Sequence, residues 1–236
     1  MNEDFLSTVS HELRTPLTSI RGFSQTMLAS WDKLDDESKK RFLNVIVEQS
    51  NRLINLVENM LSVTKLQNTK APLILKEVSI KSVVDTVCSL LKTQYKDKVY
   101  NIEINADKVL ADKDKFQQIV MNLIENASKY GDYGSNIYIN SGLNGDFVSF
   151  NVTNTGEEIN SADYDKIFEK FSRIDNPLTR KVQGSGLGLY ITKNLVEKMG
   201  GKISVNSQNR QTTFEVLMPS ANIERQAQSA VSNIDN

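Results

Sequence analysis

The sequence predicts an all-α helical hairpin that associates into a dimeric four-helix bundle, followed by an α+β sandwich with helices on one face of a mixed sheet. Three observations carry this prediction. Over the first 68 residues, apolar side chains recur at spacings of three and four, the period of one helix face. The stretch NTKAP at 68–72 then interrupts the pattern with polar residues and a proline. Beyond it, short runs alternating apolar and polar residues are interspersed with helical segments.

In the first helix, Leu6, Val9, Leu13, Leu17, Ile20, Phe23 and Met27 form one apolar stripe. In the second, Phe42, Ile46, Gln49, Leu53, Leu56, Met60 and Val63 alternate four and three, which is a heptad seam. Leu43, Val47, Ile54, Val57 and Leu61 widen that surface beyond what one antiparallel neighbour covers, so two hairpins are expected to pair as a homodimer. DKLDDESKK links the helices, with Asp35 as the candidate N-cap of the second. After NTKAP, LILKEVSI and YNIEIN read as strands around a helix over 80–96, followed by a helix from about Asp112 to Lys129. NIYINSG and DFVSFNVTN flank the turn signal LNG as a hairpin. A helix over 187–199 and the strands KISVNS and TTFEVLMP finish the fold. The expected divisions are 1–68, a linker at 69–72, 73–219, and a tail at 220–236 that is frayed or a weakly held helix.

Composition removes several function classes. A net charge of −1 and a pI near 6.0 leave no broad basic footprint for nucleic acid. One histidine and one cysteine cannot build the usual zinc sites, and Cys88, inside the apolar run VVDTVCSLL, reads as a buried core thiol. No apolar run is long enough to span a bilayer and MNEDFLS lacks the regions of a signal peptide, so a cytoplasmic protein is expected.

The sole histidine, His11, falls nearly opposite the apolar stripe of its helix at about 100° per residue, which places it toward solvent. Thr15 follows one turn later on the same side, and Glu12 lies on the flank, near enough to orient an imidazole. Pro16 frees the carbonyl of Glu12 and is expected to bend the helix there.

SHELRTPLTSI resembles the phosphoacceptor box of two-component sensor histidine kinases, and the family's other landmarks follow in order, so the resemblance covers roughly residues 2–219. It implies a dimeric helical hairpin carrying the phosphorylated histidine. It further implies an ATP-binding domain of the GHKL (Bergerat) fold, shared by gyrase, Hsp90, histidine kinases and MutL.

NLIENASKYG looks like the family's N box, where Asn122 and Asn126 would ligate Mg2+ and meet phosphate oxygens, Lys129 would add charge and Tyr130 would line the pocket. NTGEEI stands where the family writes D-x-G-x-G-I, so Asn154, Gly156 and Ile159 are expected at the adenine. Asn154 replaces the aspartate that accepts from the adenine amino group, a loss of about 1 kcal/mol or fivefold in affinity. Glu158 replaces the second glycine, at a position where a glycine adopts angles that a residue with a Cβ avoids. IFEKFSRID resembles the F box, in which Phe171 anchors the base of a lid over 174–183 and Arg173 points toward the γ-phosphate. In that lid Thr179, Arg180 and Lys181 are available to phosphates or to the helical domain. GSGLGLYITKNLV matches the second glycine box, with Gly184, Gly186, Leu187, Gly188 and Leu189 around the phosphates and a helix N-terminus favouring anions.

The resemblance therefore implies autophosphorylation of His11 from Mg-ATP, assisted by Glu12, and transfer to an aspartate of a response-regulator receiver domain. It also implies phosphatase activity toward that regulator, with Thr15 positioning the water. Because the chain begins almost at the phosphoacceptor helix, it is expected to be a piece of a longer sensor, with a membrane anchor among the regions such a sensor can carry. The departures at 154 and 158 keep a second reading open, a scaffold that binds nucleotide or regulator without catalysis. A third is another ATPase of the superfamily, which would carry a water-activating glutamate where Asn122 stands.

Overall fold

A computed structural model describes residues 3–68, 73–172 and 184–221. The chain divides into two compact units, Met1–Asn68 and Thr69–Asn236.

The first unit is a helical hairpin. Helix α1 (Glu3–Ser30) runs on through Pro16, a 3-10 turn occupies Trp31–Lys33, and α2 (Asp36–Asn68) returns. Asp35 caps α2, its Oδ1 accepting the Ser38 amide at 2.7 Å. Met27, Leu56 and Val63 are buried between the helices, and the rings of Phe23 and Phe42 meet at 5.1 Å. Gln49 is buried in the seam, where it interrupts the apolar series. Leu43, Val47, Ile54, Val57 and Leu61 remain 41–57% exposed on the outer side of α2. Leu17, read from sequence as part of the α1 stripe, is also exposed and lies outside the contact with α2.

The second unit is built on a five-stranded sheet in the order β2-β4-β5-β7-β6, with β2 (Val99–Ile104), β4 (Asn136–Asn144), β5 (Phe147–Thr155), β6 (Lys202–Gln208) and β7 (Gln211–Pro219). Only β2 and β4 pair in parallel, because a strand and a helix connect them, whereas the remaining neighbours are antiparallel. A separate pair, β1 (Lys76–Ser79) with β3 (Lys108–Ala111), was not fully anticipated: KVLA is too short, between two aspartates, to show a period. The bridge between Val109 and Ser220, with the buried Ala221, carries the packed body slightly past 219 and into the expected tail.

Three helices, α3 (Ile80–Gln94), α4 (Lys113–Tyr130) and α5 (Gly188–Lys198), supply the other half of the core. Ser79 caps α3 and Asp112 caps α4 through their side-chain oxygens. Ile80, Phe116, Leu123, Ile124 and Ile191 are fully buried, together with Ile137, Ile139, Phe150 and Val216 from alternate positions of the strands. Phe116 and Phe150 meet edge to face at 6.2 Å. The opposite strand positions carry polar contacts, such as Asn151 Nδ2 to Asn140 Oδ1 at 3.0 Å and the Thr153–Thr213 hydroxyl pair at 2.8 Å. Helices thus cover one face of the sheet, as the alternating pattern predicted. Cys88 sits in this core, and burial pushes its thiol up to about 11.

Candidate functional site

On α1, His11 is exposed, as its helical phase predicted. Glu12 is half-buried, and its Oε2 lies 3.3 Å from Nη2 of Arg52 on α2, with 22% and 23% of the two side chains exposed. Arg52 was not singled out from the sequence. Forty residues separate the pair, and the only cue was that Arg52 immediately precedes the seam residue Leu53. Thr15 is exposed one turn after His11, and its hydroxyl donates to the His11 carbonyl at 3.3 Å. Pro16 is buried.

In the second unit, α4, the loop after β5 and the start of α5 converge. Asn122 Nδ2 donates to the Gly188 carbonyl and to Thr192 Oγ1, both at 3.3 Å, which turns its amide toward α5 and leaves Oδ1 as the acceptor. Asn126 is half-buried on the same helix face, one turn on. Lys129 pairs with Glu125 at 2.9 Å. Burial, reinforced by Glu125, holds the neighbouring Tyr95 phenol well above its ordinary range.

Glycines fix the approach of these segments. Gly131 and Gly156 form an isolated bridge, and a Cβ on Gly156 would stand 2.4 Å from the Tyr130 carbonyl oxygen, so no side chain fits there. Gly184 lies beside the Tyr130 hydroxyl, which is 3.8 Å from its Cβ position. Gly186 has φ +66°, and a Cβ there would meet the backbone of Phe171 and Ser172 at 2.7–2.9 Å. Phe171 is itself left-handed, at φ 59°. Gly188 packs against the Asn122 carboxamide and begins α5.

Asn154 is 3% exposed, near the end of β5 and two residues before Gly156. Ile159 donates its amide to Ser207 Oγ at 3.0 Å. Leu187 is fully buried, so its side chain belongs to the core, and its amide already donates to Ser185 Oγ at 3.3 Å. Leu189 is half-buried. Arg173 and the lid residues Thr179, Arg180 and Lys181 lie outside the described residues. Glu158 is not among the residues with positive φ, so the glycine-only angle expected there is not required in this chain. Among the described residues no group of three or more His, Cys, Asp or Glu is placed to hold a metal, and no helix is long and apolar enough to cross a membrane.

An exposed histidine on a helical hairpin and a glycine-bounded cradle between two helices define a phospho-acceptor domain joined to a GHKL-type ATPase domain. Residues 1–69 match the His Kinase A (phospho-acceptor) domain, and 111–222 match the histidine kinase-, DNA gyrase B- and HSP90-like ATPase. The chain belongs to the two-component sensor histidine kinases, of which it carries the catalytic core.

Among its relatives, the signal transduction histidine-protein kinase ArlS of Staphylococcus haemolyticus is 32% identical over 216 residues, 90% of this chain and 48% of that one. The sensor protein SrrB of Staphylococcus aureus is 33% identical over 224 residues, 93% of this chain and 38% of that one. The chain therefore spans less than half the length of these relatives. Among solved structures, histidine kinase ThkA in complex with response regulator protein TrrA matches with a TM-score of 0.74 and 25% identity, covering 93% of this chain and 62% of that one. Acinetobacter baumannii histidine kinase AdeS matches in fold, with a TM-score of 0.71 and 23% identity, over 89% of this chain and 98% of that one.

Proposed function

We propose that this core transfers the γ-phosphoryl group of ATP to His11 and then to an aspartate of a response-regulator receiver domain. The observation that supports this most is the exposed His11 beside an anchored Glu12, in a chain whose second unit holds the glycine-bounded cradle. In the first step a neutral imidazole nitrogen attacks phosphorus, the bond to the β,γ-bridging oxygen breaks, and ADP leaves. Glu12 holds the proton on the other ring nitrogen and offsets the charge that develops on the ring. In the second step the phosphoryl passes from nitrogen to a carboxylate oxygen of the regulator. The same helix face, through Glu12 and Thr15, serves hydrolysis of the phosphoaspartate, with Thr15 positioning the water.

Adenine meets Asn154, whose buried carboxamide accepts from the exocyclic amino group, along with Gly156, Ile159 and Tyr130. Phosphates meet Asn126, Lys129 and the segment Gly184–Leu189, where the start of α5 contributes partial positive charge. Leu187 anchors the start of α5 in the core, Gly186 lets the segment pass close to the backbone of Phe171, and the role of Arg173 is to offset charge on the γ-phosphate. Asn122 and Asn126 would hold Mg2+ beside the nucleotide, where it would neutralise phosphate charge. Asn122 and Asn126 fit it through hard carboxamide oxygens, and Asn122 Oδ1 is already oriented by the two bonds its amide makes.

The unpartnered side of α2 supports assembly as a homodimer, and use of ATP places the reaction in the cytoplasm. That Glu158 adopts ordinary backbone angles removes one motive for a non-catalytic scaffold. Incubation with γ-labelled ATP and Mg2+ tests the reading. The expected result is an acid-labile, base-stable label on the wild type that is lost in His11→Gln; an unlabelled wild type overturns it.

A further inference from the structure

Glu158 stands where the family's glycine box would have a glycine, and the structure shows what it does there. Its Oε1 accepts the amide of Arg210 at 2.7 Å. Arg210 and Asn209 form the two-residue turn between β6 and β7, both in the left-handed region, at φ 61° and 52°. An arginine at such an angle carries steric strain that surrounding contacts must hold. Three contacts do so. Besides Glu158, the Gly156 amide donates to the Arg210 carbonyl at 2.8 Å, and the Arg210 guanidinium reaches Asp132 Oδ2 at 2.8 Å. Asp132 closes the circuit, because its amide donates to the Thr155 carbonyl at 2.8 Å.

These bonds tie together the loop after β5, the tip of the β6–β7 hairpin and the segment that follows α4. They surround Gly156 and stand beside Asn154, the residues assigned to the adenine. On its other side, the loop borders a shallow, open surface depression lined by Glu158, Ile159, Tyr164 and Ser207, where the Ile159 amide on Ser207 Oγ ties it further to β6. A glycine at 158 would remove the charge-assisted bond and add backbone freedom to that wall.

We propose that Glu158, Arg210 and Asp132 form a clasp that pre-organises the adenine wall of this kinase. Glu158 is then a positioning residue that sets nucleotide affinity without touching the nucleotide. The inference rests on the ATP reading of Asn154 and Gly156. Because the clasp acts on the bound and reacting states alike, its loss is felt in KM and Kd rather than in kcat.

The test measures binding of trinitrophenyl-ATP with Mg2+ by fluorescence, and the KM and kcat of autophosphorylation, for the full chain. Glu158→Gly is expected to weaken binding and raise KM by about twofold to fivefold, the range of one solvent-exposed charged contact, with kcat held. Glu158→Gln keeps an acceptor oxygen and is expected to recover most of the loss. A purely structural role would instead lower kcat per mole of protein and the melting temperature, with KM unmoved. Wild-type Kd and KM in Glu158→Gly overturn the clasp. A wild type that binds no trinitrophenyl-ATP overturns the ATP reading, and the clasp with it.

Discussion

Asp35 illustrates how much a single exposed carboxylate can report. Hydrogen bonds from Ser38, assisted by nearby Arg41 and Lys39, hold its carboxyl below the ordinary carboxylate range. A folded pKa lower than the unfolded one gives stability that is present above the unfolded value and lost as pH falls through the folded value. Asp35→Ala should therefore lower the urea midpoint of the hairpin by a constant amount above about pH 5, and the gap should close below about pH 4. A gap that persisted in acid would remove the cap from the account. This residue was legible in the sequence because capping is local. Asn122 was legible only in part: its spacing from Asn126 marks one helix face, but the bonds that orient it come from residues 66 and 70 positions away. Leu187 shows that a residue inside a glycine motif need not turn its side chain to a ligand, since here the core takes it.

At the scale of elements, the glycines separate into two kinds. Gly186 is confined by its angle and by the backbone of Phe171 and Ser172, whereas Gly142 in β4 has nothing within 4 Å of its Cβ position. Gly186→Ala is expected to destabilise the second unit by about 1–3 kcal/mol, while Gly142→Ala stays within about 1 kcal/mol of wild type. Thermal unfolding of the two variants side by side checks this, and equal midpoints would contradict it. The helices and the long strands were readable because each exposes a whole period or several alternations. β3 was not, because four residues between Asp107 and Asp112 give no period and their partner strand lies about 30 positions earlier. The clasp was invisible for the same reason: its residues are brought together by the sheet, and each looks like an ordinary surface charge in isolation.

At the scale of the molecule, the outward apolar row of α2 is left without cover by a single chain. Monomeric surfaces rarely keep such a continuous stripe in water. Ile54→Glu would place a charge in the middle of it, and sedimentation should show the apparent mass falling by about half, with the second unit still folded. An unchanged mass would place the dimer contact elsewhere. The seam itself was plain from the heptads, while the partition between the face for α2's own neighbour and the face for a second chain needed the exposures. The Glu12–Arg52 pair has a different kind of consequence. It makes α1 a poor module for transplantation: a chimera that grafts it onto the second helix of another member of the family keeps His11 but strands the Glu12 carboxylate unless an arginine travels with it. Inheritance of the two positions should then be linked, although 40 residues lie between them.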